Sequence, residues 1–323
     1  MRFGLLGTAV ALAAFAAVTI LASAALAALW PAVASAAGPL RPRARARLLY
    51  ALRLLPVVLG ALAAVALAAS AWARYEPRQS SETPGLSLAV AVGLALTLLA
   101  AAGRRGARAL RAGRALAREW TAAGTPVRLP GVGLPAFRIA HPWPVVCVVG
   151  AVRPRLFVAD TVLDACTPAE LASVLAHEAG HVAARDNLKR LAARFLPDAM
   201  HWFPAGRALD GAWESASEAA ADARAAATRP GGSLDLAAAL LRVARLATGG
   251  GIALPARALF DGESVAPRVR RLLSEEAALP ASGRTLAVWA ALLALPAAVL
   301  VASLEPSVLR IVQHVAEALV QAR

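Results

Sequence analysis

His177-Glu178-Ala179-Gly180-His181 is the stretch that decides this fold, because it sets two histidines four positions apart with a glutamate between them. An α-helix advances about 3.6 residues per turn, so His177 and His181 should lie one turn apart on the same face. Their imidazoles can then bind one Zn²⁺, with Glu178 placed to accept a proton from the metal-bound water. Zinc lowers the pKa of such a water to about 7, and the pattern therefore predicts hydrolysis of peptide bonds.

The residues just before this motif predict that it lies on a helix. Thr167-Pro168-Ala169-Glu170 has the form of a capping box with proline at the first helical position. Leu171, Val174 and Leu175 follow as an apolar stripe at helical spacing. The alternative is a surface helix with two solvated histidines. The chain has only five histidines, and the pairing of two of them at this spacing favours the metal site.

The composition indicates a membrane protein. Of the 323 residues, 59% are hydrophobic, which is high for a soluble protein. The net charge of +14 would permit a nucleic-acid partner, but the arginines lie beside apolar segments, where the positive-inside rule expects them. We therefore expect a lipid bilayer and no nucleic acid as the partner. Two cysteines form no disulfide framework and suit a reducing compartment.

Four apolar runs are long enough to be membrane spans. They are Phe3–Ala37, Leu54–Trp72, Leu86–Ala102 and Leu286–Leu304. The first has a rival interpretation as a cleaved signal peptide, since Ala-Ser-Ala-Ala near residue 35 resembles a cleavage site. Its length and the arginines that follow it favour a retained span. Buried core helices are the alternative for the second and third runs.

Charge then predicts the orientation. Arginines follow the first run at 41–53 and the third at 104–118, so both flanks should be cytoplasmic. Arg74-Tyr75-Glu76-Pro77 and a polar turn end the second run, as expected of the outer face. We predict a multi-pass protein of a bacterial-type inner (plasma) membrane, with a cytoplasmic protease domain and both termini outside.

The predicted fold class is a mainly α membrane protein with four transmembrane helices. A cytosolic α+β zincin-like protease domain lies between spans three and four. The predicted parts are a three-span region 1–103, the protease domain 104–283, a fourth span 284–304 and a short extracytoplasmic tail 305–323. The tail is too small to fold alone as a domain.

Within the domain, Arg104–Trp120 predicts a basic amphipathic helix that runs off the membrane. The Pro- and Gly-rich stretch 126–144 predicts loop and short strand. Val145–Gly150 and Leu156–Val158 predict two short strands just before the motif helix. A strand edge near a zinc site can bind an extended substrate by strand addition. An ordinary structural hairpin is the alternative.

A catalytic zinc usually keeps three protein ligands, so one more must come from elsewhere in the domain. The helix predicted after Pro204 offers three acids on one face, namely Glu214, Glu218 and Asp222. Such a ladder is often a solvated stripe paired with arginines. Glu218 is favoured as the ligand, because Asp222 one turn on could orient a ligating histidine. His201 is the rival third ligand.

Within Gly150–Ala226, several further short segments lie on either side of the motif. They are Gly150-Ala151-Val152-Arg153-Pro154-Arg155, Ala169-Glu170-Leu171, Val174-Leu175-Ala176 before the motif, Arg185-Asp186-Asn187-Leu188, His201-Trp202-Phe203-Pro204 and Glu218-Ala219-Ala220-Ala221-Asp222. In combination they resemble the BlaR/MecR-type integral-membrane zinc metallopeptidases, the sensor-transducers of β-lactam resistance. The predicted order of three spans, protease loop and fourth span is similar to that family as well.

The resemblance implies that one Zn²⁺ per chain is bound by His177, His181 and Glu218, with Glu178 as general base. Asp222, Arg185 and Asp186 are expected to support the ligands from behind. His201 and Arg224 are the candidates for stabilising the oxyanion of the transition state.

Two departures from that family shape the expected function. Only residues 305–323 follow the fourth run, so a penicillin-binding sensor domain is not expected. Gly180 stands where the family often has alanine, and glycine there is usual in membrane proteases that resemble HtpX and the CAAX-processing enzymes. We therefore expect an endopeptidase that cleaves cytosolic or membrane-proximal proteins. Its expected role is regulatory proteolysis, such as cleavage of a repressor or antirepressor. An HtpX-like quality-control protease and a non-catalytic signalling or scaffold protein are the alternatives.

Overall fold

The computed structural model describes residues 2–77, 85–249, 265–274 and 283–321. Its helices are α1 (Arg2–Ala37), α2 (Pro42–Leu62), α3 (Ser70–Tyr75), α4 (Leu86–Ala123), α5 (Asp160–Ala165), α6 (Pro168–Ala184), α7 (Asp186–Arg194), α8 (Pro204–Ala226), α9 (Gly232–Gly249), α10 (Val265–Leu273), α11 (Gly283–Ala302) and α12 (Pro306–Gln321). Its strands are β1 (Thr125–Val127), β2 (Ala136–Ile139), β3 (Val146–Val149) and β4 (Arg155–Ala159). A π-helical stretch, Ala63–Ala69, joins α2 to α3, and a 3₁₀ turn, Met200–Trp202, precedes α8.

Four helical segments are long and apolar enough to cross a bilayer: α1, the continuous run from α2 to α3, α4 and α11. Many of their apolar side chains face outwards, for example Val65 and Leu293, which are 70% and 73% exposed. Such faces suit contact with lipid and disfavour the alternative of buried core helices for the second and third runs. The four helices indicate an integral membrane protein.

The first three of these segments are longer than a bilayer requires. At 1.5 Å per residue they measure about 51–57 Å, whereas the hydrocarbon core is about 30 Å thick. The predicted basic helix after the third run is the continuation of α4, which is one helix as far as Ala123. The arginines of 41–53 likewise belong mostly to α2, which begins at Pro42 rather than at Leu54. The extra turns carry contacts with the rest of the chain.

The predicted tail is an ordered helix, α12, packed on the bundle. One face of α12 is buried and presents Leu309, Gln313, Ala316 and Val320. The Gln313 amide donates a hydrogen bond of 2.5 Å to Glu76, and Gly85 N donates to Val320 O over 2.8 Å. The tail therefore gains from the bundle the buried surface that it lacks alone. The polar turn predicted after Pro77 lies outside the described residues.

The sheet has four strands in the order β1-β2-β4-β3. Strand β2 pairs with β4 in parallel, and β1–β2 and β3–β4 are antiparallel. The two strands predicted before the motif helix are confirmed as β3 and β4. Strand β2 lies in the stretch predicted as loop and short strand, while β1 begins just before it. Strand β3 forms one edge of the sheet and packs beside α6.

The motif helix α6 begins and ends at specific local signals. The Thr167 hydroxyl accepts from Glu170 N, and the Glu170 carboxylate accepts from Thr167 N, so the predicted capping box is confirmed. The helix ends where Arg185 adopts a left-handed conformation with φ of 56°. This residue turns the chain directly into α7, and the turn brings Asp186 back towards His181.

Helix α8 is seated on the membrane bundle through α2. Leu48, Leu49 and Leu52 pack in one buried cluster with Leu209 and Trp213. The guanidinium of the buried Arg53 on α2 contacts two carboxylates, Asp198 at 2.5 Å and Asp210 at 2.7 Å. The first half of α8 is thus held by a membrane helix.

Candidate metal centre

The three predicted metal ligands meet in the structure. His177 and His181 extend from α6 and Glu218 from α8, and all three are buried. The two Nε2 atoms lie 3.1 Å apart, and the Glu218 carboxylate oxygens lie 3.5 Å from Nε2 of His177 and 3.3 Å from Nε2 of His181. Atoms bound at about 2.0–2.1 Å to a tetrahedral zinc lie about 3.3–3.4 Å from one another. The separations fit, so this group can hold one metal ion.

Each histidine is oriented by a carboxylate on its other ring nitrogen. His177 Nδ1 lies 2.9 Å from Asp222 Oδ1, and His181 Nδ1 lies 2.9 Å from Asp186 Oδ2. The Ser217 hydroxyl also donates to Asp186 Oδ2, over 2.6 Å. These contacts place the proton on Nδ1 and leave Nε2 as the lone-pair donor towards a metal. Asp222 and Asp186 therefore lie where the sequence predicted support for the ligands.

The charges of the site favour a bound cation. Burial acts to raise the pKa of Glu218, but hydrogen bonds with His177 and His181 outweigh burial and hold its pKa far below the ordinary range. Burial acts to lower the pKa of His181, but hydrogen bonds with Asp186 and Glu218 raise it to about 10. The carboxylates thus stay ionised and attract positive charge to the imidazoles, whether protons or a divalent metal.

Glu178 faces the same cavity as the three candidate ligands. The cavity has a volume of about 660 Å³ and lies between α6, α8, β3 and the aromatic residues Trp120 and Trp143. The Glu178 carboxylate accepts a hydrogen bond of 3.1 Å from Val148 N on β3. A general base needs to reach both the metal and a substrate. Glu178 lines the cavity into which the three candidate ligands also extend, so it meets this requirement.

The edge of β3 offers fewer free backbone groups to an extended substrate than its sequence predicts. Val148 donates its N–H to Glu178, and its carbonyl accepts from Asn187 Nδ2 at 2.7 Å. Both outward backbone groups at Val148 are therefore already bonded. An extended substrate that adds to this strand must displace Glu178 and Asn187 at this point or pair with β3 elsewhere.

Gly180 allows the two metal-binding helices to approach closely. A Cβ atom at this position would lie 3.2 Å from Ala221 Cα and 3.3 Å from Ala221 Cβ. Ala221 lies on α8 beside Asp222 and one turn after Glu218. The absence of a side chain at Gly180 thus helps to set the distance between the histidines and Glu218.

The sequence analysis missed Arg268, which closes the site from α10. This buried guanidinium donates to both oxygens of Asp222, at 3.0 Å and 2.6 Å. Its Nη1 lies 3.2 Å from Glu218 Oε2. One sequence signal does point to it: Val265, Val269 and Leu272 form an apolar face, and Arg268 lies on that face. A charge on the buried face of an amphipathic helix requires a buried partner.

Helix α7 adds two more residues that the sequence analysis did not single out for the site. Arg190 lies with its Nη2 3.6 Å from Glu218 Oε1. Asn187, which bonds Val148, lies one turn before Arg190 and lines the same cavity. Asn187 lies in a segment that the sequence analysis quoted without giving it a role, and Arg190 lies on a helix separate from the motif helix.

The structure corrects the remaining predicted site residues. His201 lies in the 3₁₀ turn near Arg53 and Asp198, outside the wall of the metal cavity. Arg224 lines a separate space of about 270 Å³ on the other side of Gly180. Neither is placed to stabilise an oxyanion, and His201 is not the third ligand. Arg185 is exposed and ends α6 through its backbone, so its side chain does not support the ligands. Glu214 lies outside the ligand group.

A family comparison agrees with this geometry. Residues 148–248 match the family model described as Peptidase family M48. No curated protein and no solved structure matches the chain. The matched residues include all three candidate ligands, Glu178 and the supporting carboxylates, but not Arg268. The match indicates that this part of the chain is similar to metallopeptidases, which are hydrolases of peptide bonds.

Proposed function

We propose that the chain is a membrane-embedded zinc endopeptidase that cleaves cytosolic or membrane-proximal proteins. The observation that carries the proposal is the ligand group itself. Three buried donor groups lie at the separations of a tetrahedral zinc site, and the Glu178 carboxylate lies in the same cavity. A purely structural zinc site would close all four positions with protein ligands, whereas three ligands leave one position open for chemistry.

In the proposed hydrolysis, different residues bind the metal, transfer protons and orient the ligands. Zinc bound by His177, His181 and Glu218 would supply a Lewis acid that polarises the scissile carbonyl and acidifies a water. Glu178 accepts a proton as the water oxygen attacks the carbonyl carbon. It then delivers a proton to the leaving amine as the C–N bond breaks. Asp222 and Asp186 keep the two imidazoles in the tautomer that presents Nε2.

We propose that the peptidase part lies in the cytosol, between the third and fourth spans. Helix α4 leaves its apolar section at Ala102 and continues through a series of arginines towards β1. The positive-inside rule assigns such a flank to the cytoplasmic side. Both termini would then lie outside, in an inner (plasma) membrane of bacterial type.

The packing of α2 on α8 favours regulatory proteolysis over general quality control. Arg53 and the leucines of α2 contact the helix that also carries Glu218 and Asp222. A shift of the second span would therefore move the first half of α8 and could alter the spacing of the ligands on its second half. A quality-control protease of HtpX type remains the alternative, and the two share the same chemistry.

The test combines metal content with cleavage by purified full-length protein. Wild type should contain about one zinc per chain and degrade an unfolded protein such as casein. Glu178→Gln should keep the zinc and lose cleavage, because only the proton acceptor is removed. Glu218→Gln should lose most of the zinc, while the matched control Glu214→Gln, one turn earlier on α8, should keep both zinc and activity.

Two results would count against the proposal. Full cleavage by Glu178→Gln would remove the assigned base. Less than about a tenth of an equivalent of zinc in wild type would favour a signalling or scaffold protein. A comparison of cellular proteins between wild type and Glu178→Gln then separates one regulatory substrate from many damaged ones.

A further inference from the structure

A second, larger cavity lies next to the metal cavity and is lined by arginines. Its volume is about 1100 Å³, and its walls come from α4, α7 and the β3–β4 connection. Seven arginines line it: three from α4, two from the β3–β4 hairpin and two from α7. No aspartate or glutamate is among its described lining residues. The sequence analysis attributed the α4 arginines to membrane topology and to a basic amphipathic helix that leaves the membrane.

Only Arg190 among the arginines of this cavity forms an ion pair within the described part of the protein, with Glu218 at 3.6 Å. Elsewhere, arginines of the same domain pair with acids, as Arg229 does with Asp235 at 2.5 Å and Arg242 with Glu170 at 3.0 Å. Arg155 in the cavity instead donates to a neutral hydroxyl, that of Thr121. Several like charges around one concave surface concentrate positive potential there and attract anionic groups.

The two cavities share a wall. Leu116, Val148, Asn187 and Arg190 line both of them. Val148 bonds both Glu178 and Asn187, so the junction lies at the proposed catalytic base. The Nε and Nη2 atoms of Arg190 are buried and make no hydrogen bond within the described structure. An extended chain that leaves the metal centre along β3 therefore enters the arginine-lined space.

The position of the arginines along α4 favours a polypeptide over a lipid headgroup. Arg111 and Arg118 follow the last apolar residue, Ala102, by about 13 and 24 Å along the helix axis. The headgroup layer extends only about 5–8 Å beyond the hydrocarbon core on each side. The cavity thus lies mostly beyond the reach of lipid phosphates.

We propose that the arginine-lined cavity is a substrate subsite that binds an acidic segment of the polypeptide on one side of the scissile bond. This inference rests on the proposed endopeptidase function and assigns it a substrate class. The enzyme selects chains in which aspartates and glutamates lie near the cleavage site. Guanidinium groups suit this role, because each can bind a carboxylate through two parallel hydrogen bonds.

The test measures binding and cleavage separately with matched peptides. One labelled peptide carries a cluster of aspartates and glutamates beside a fixed cleavable core, and its partner carries asparagines and glutamines at the same positions. The full-length double variant Arg111→Gln/Arg114→Gln removes two cavity charges. Arg104→Gln/Arg108→Gln is the matched control, because those arginines are exposed on the same helix outside the cavity.

We expect the cavity double variant to lose about 10–100-fold in kcat/KM for the acidic peptide, since a charged hydrogen bond contributes about 1.5–3 kcal/mol. The neutral peptide and the control variant should change little. Binding of the acidic peptide to Glu178→Gln protein should weaken by a similar factor when Arg111 and Arg114 are replaced in that background. The preference should also decline at high salt.

The outcomes are distinguishable. Equal cleavage and binding of the two peptides by every variant overturns the subsite while leaving the peptidase intact. Arginine-dependent binding of the acidic peptide without cleavage by wild type supports the cavity but contradicts the endopeptidase. Competition by phosphatidylglycerol in neutral detergent, with no effect of the double variant on the peptide, would overturn the subsite in favour of a lipid site.

Discussion

Two buried arginines make similar contacts at two different places. Arg53 on α2 contacts Asp198 and Asp210, and Arg268 on α10 contacts Asp222 and Glu218. They are 3% and 5% exposed. Arg53 connects a membrane helix to the beginning of α8, whereas Arg268 connects α10 to the metal-binding end of the same helix.

The difference teaches that one kind of ion pair can support either the fold or the chemistry. A buried arginine adds little net stability beyond a well-packed apolar residue, but its removal leaves its partners charged and unpaired. At Arg53 the stranded group would be Asp198, which is fully buried and also accepts a hydrogen bond from Met200 N. Removal of Arg268 would leave Glu218 and Asp222 without this partner. Glu218 would still contact a bound metal, and Asp222 would still contact His177.

The largest effect is therefore expected from Arg53→Met. Loss of one partner from a buried pair costs about 3–5 kcal/mol of unfolding free energy. We expect a clear fall in the apparent unfolding temperature of the detergent-solubilised protein, followed by loss of zinc as α8 separates from α2. Asp210→Asn is the matched control and should cost less, because its side chain is 37% exposed.

The double variant Arg53→Met/Asp198→Leu sharpens this prediction. It removes both charges and should recover much of the lost stability, as expected when a buried pair is replaced by apolar residues. An unfolding temperature for Arg53→Met equal to that of wild type would show that the pair does not hold α8 to the bundle.

A smaller effect on stability and a larger one on activity are expected from Arg268→Gln. The residues that orient metal ligands typically contribute 10–100-fold to metal affinity or activity. We expect a loss in this range in kcat/KM or zinc affinity, with the apparent unfolding temperature almost unchanged. Zinc titration against a competing chelator and peptide cleavage measure the two separately.

Two variants on α10 control for charge alone. Arg268→Lys keeps the charge but cannot bridge two carboxylates, so it should restore little. Arg271→Gln removes a charge one turn away, 3.8 Å from Asp222, and should have a weaker effect. If Arg268→Gln instead unfolded the protein as Arg53→Met does, the two arginines would have the same structural role.

The comparison also shows which parts of the site the sequence could predict. The helical period predicted His177 and His181 as a pair on one face, and it made Glu218 and Asp222 candidates on another. The resemblance to the BlaR/MecR-type peptidases then implied Glu218 as the third ligand. The capping box predicted where α6, the helix of the two histidines, begins. These features depend on the spacing of residues within one helix, which the sequence shows directly.

Other parts of the site depend on how separate helices pack, and no local period encodes that. Arg53 reads as one more arginine of a basic flank, yet it is buried between two acids. His201 lies in a segment that resembles the BlaR/MecR-type peptidases, but it belongs to a 3₁₀ turn near Arg53 of α2. Arg268 follows Asp222 by 46 residues and reaches it only through the fold.

A smaller effect on stability than that of Arg53→Met is expected at Gly180, where α6 contacts α8. Replacing Gly180 with alanine gains about 1 kcal/mol of helix propensity. The new methyl group would contact Ala221 at 3.2–3.3 Å, and overpacking of a core typically costs about 1–3 kcal/mol. The two contributions partly cancel, so the unfolding free energy should fall by no more than about 2 kcal/mol.

Zinc affinity should respond more than stability to Gly180→Ala, because the contact that moves is the one that spaces the histidines from Glu218. A few tenths of an ångström between α6 and α8 change all three ligand separations at once, while the core of either helix stays intact. The reciprocal variant Gly180→Ala/Ala221→Gly returns the lost space from the opposite helix and should recover the affinity. Unchanged affinity in the single variant would mean that the ligands adjust independently of the helix spacing, and the metal centre would then be less rigid than the buried carboxylates behind it imply.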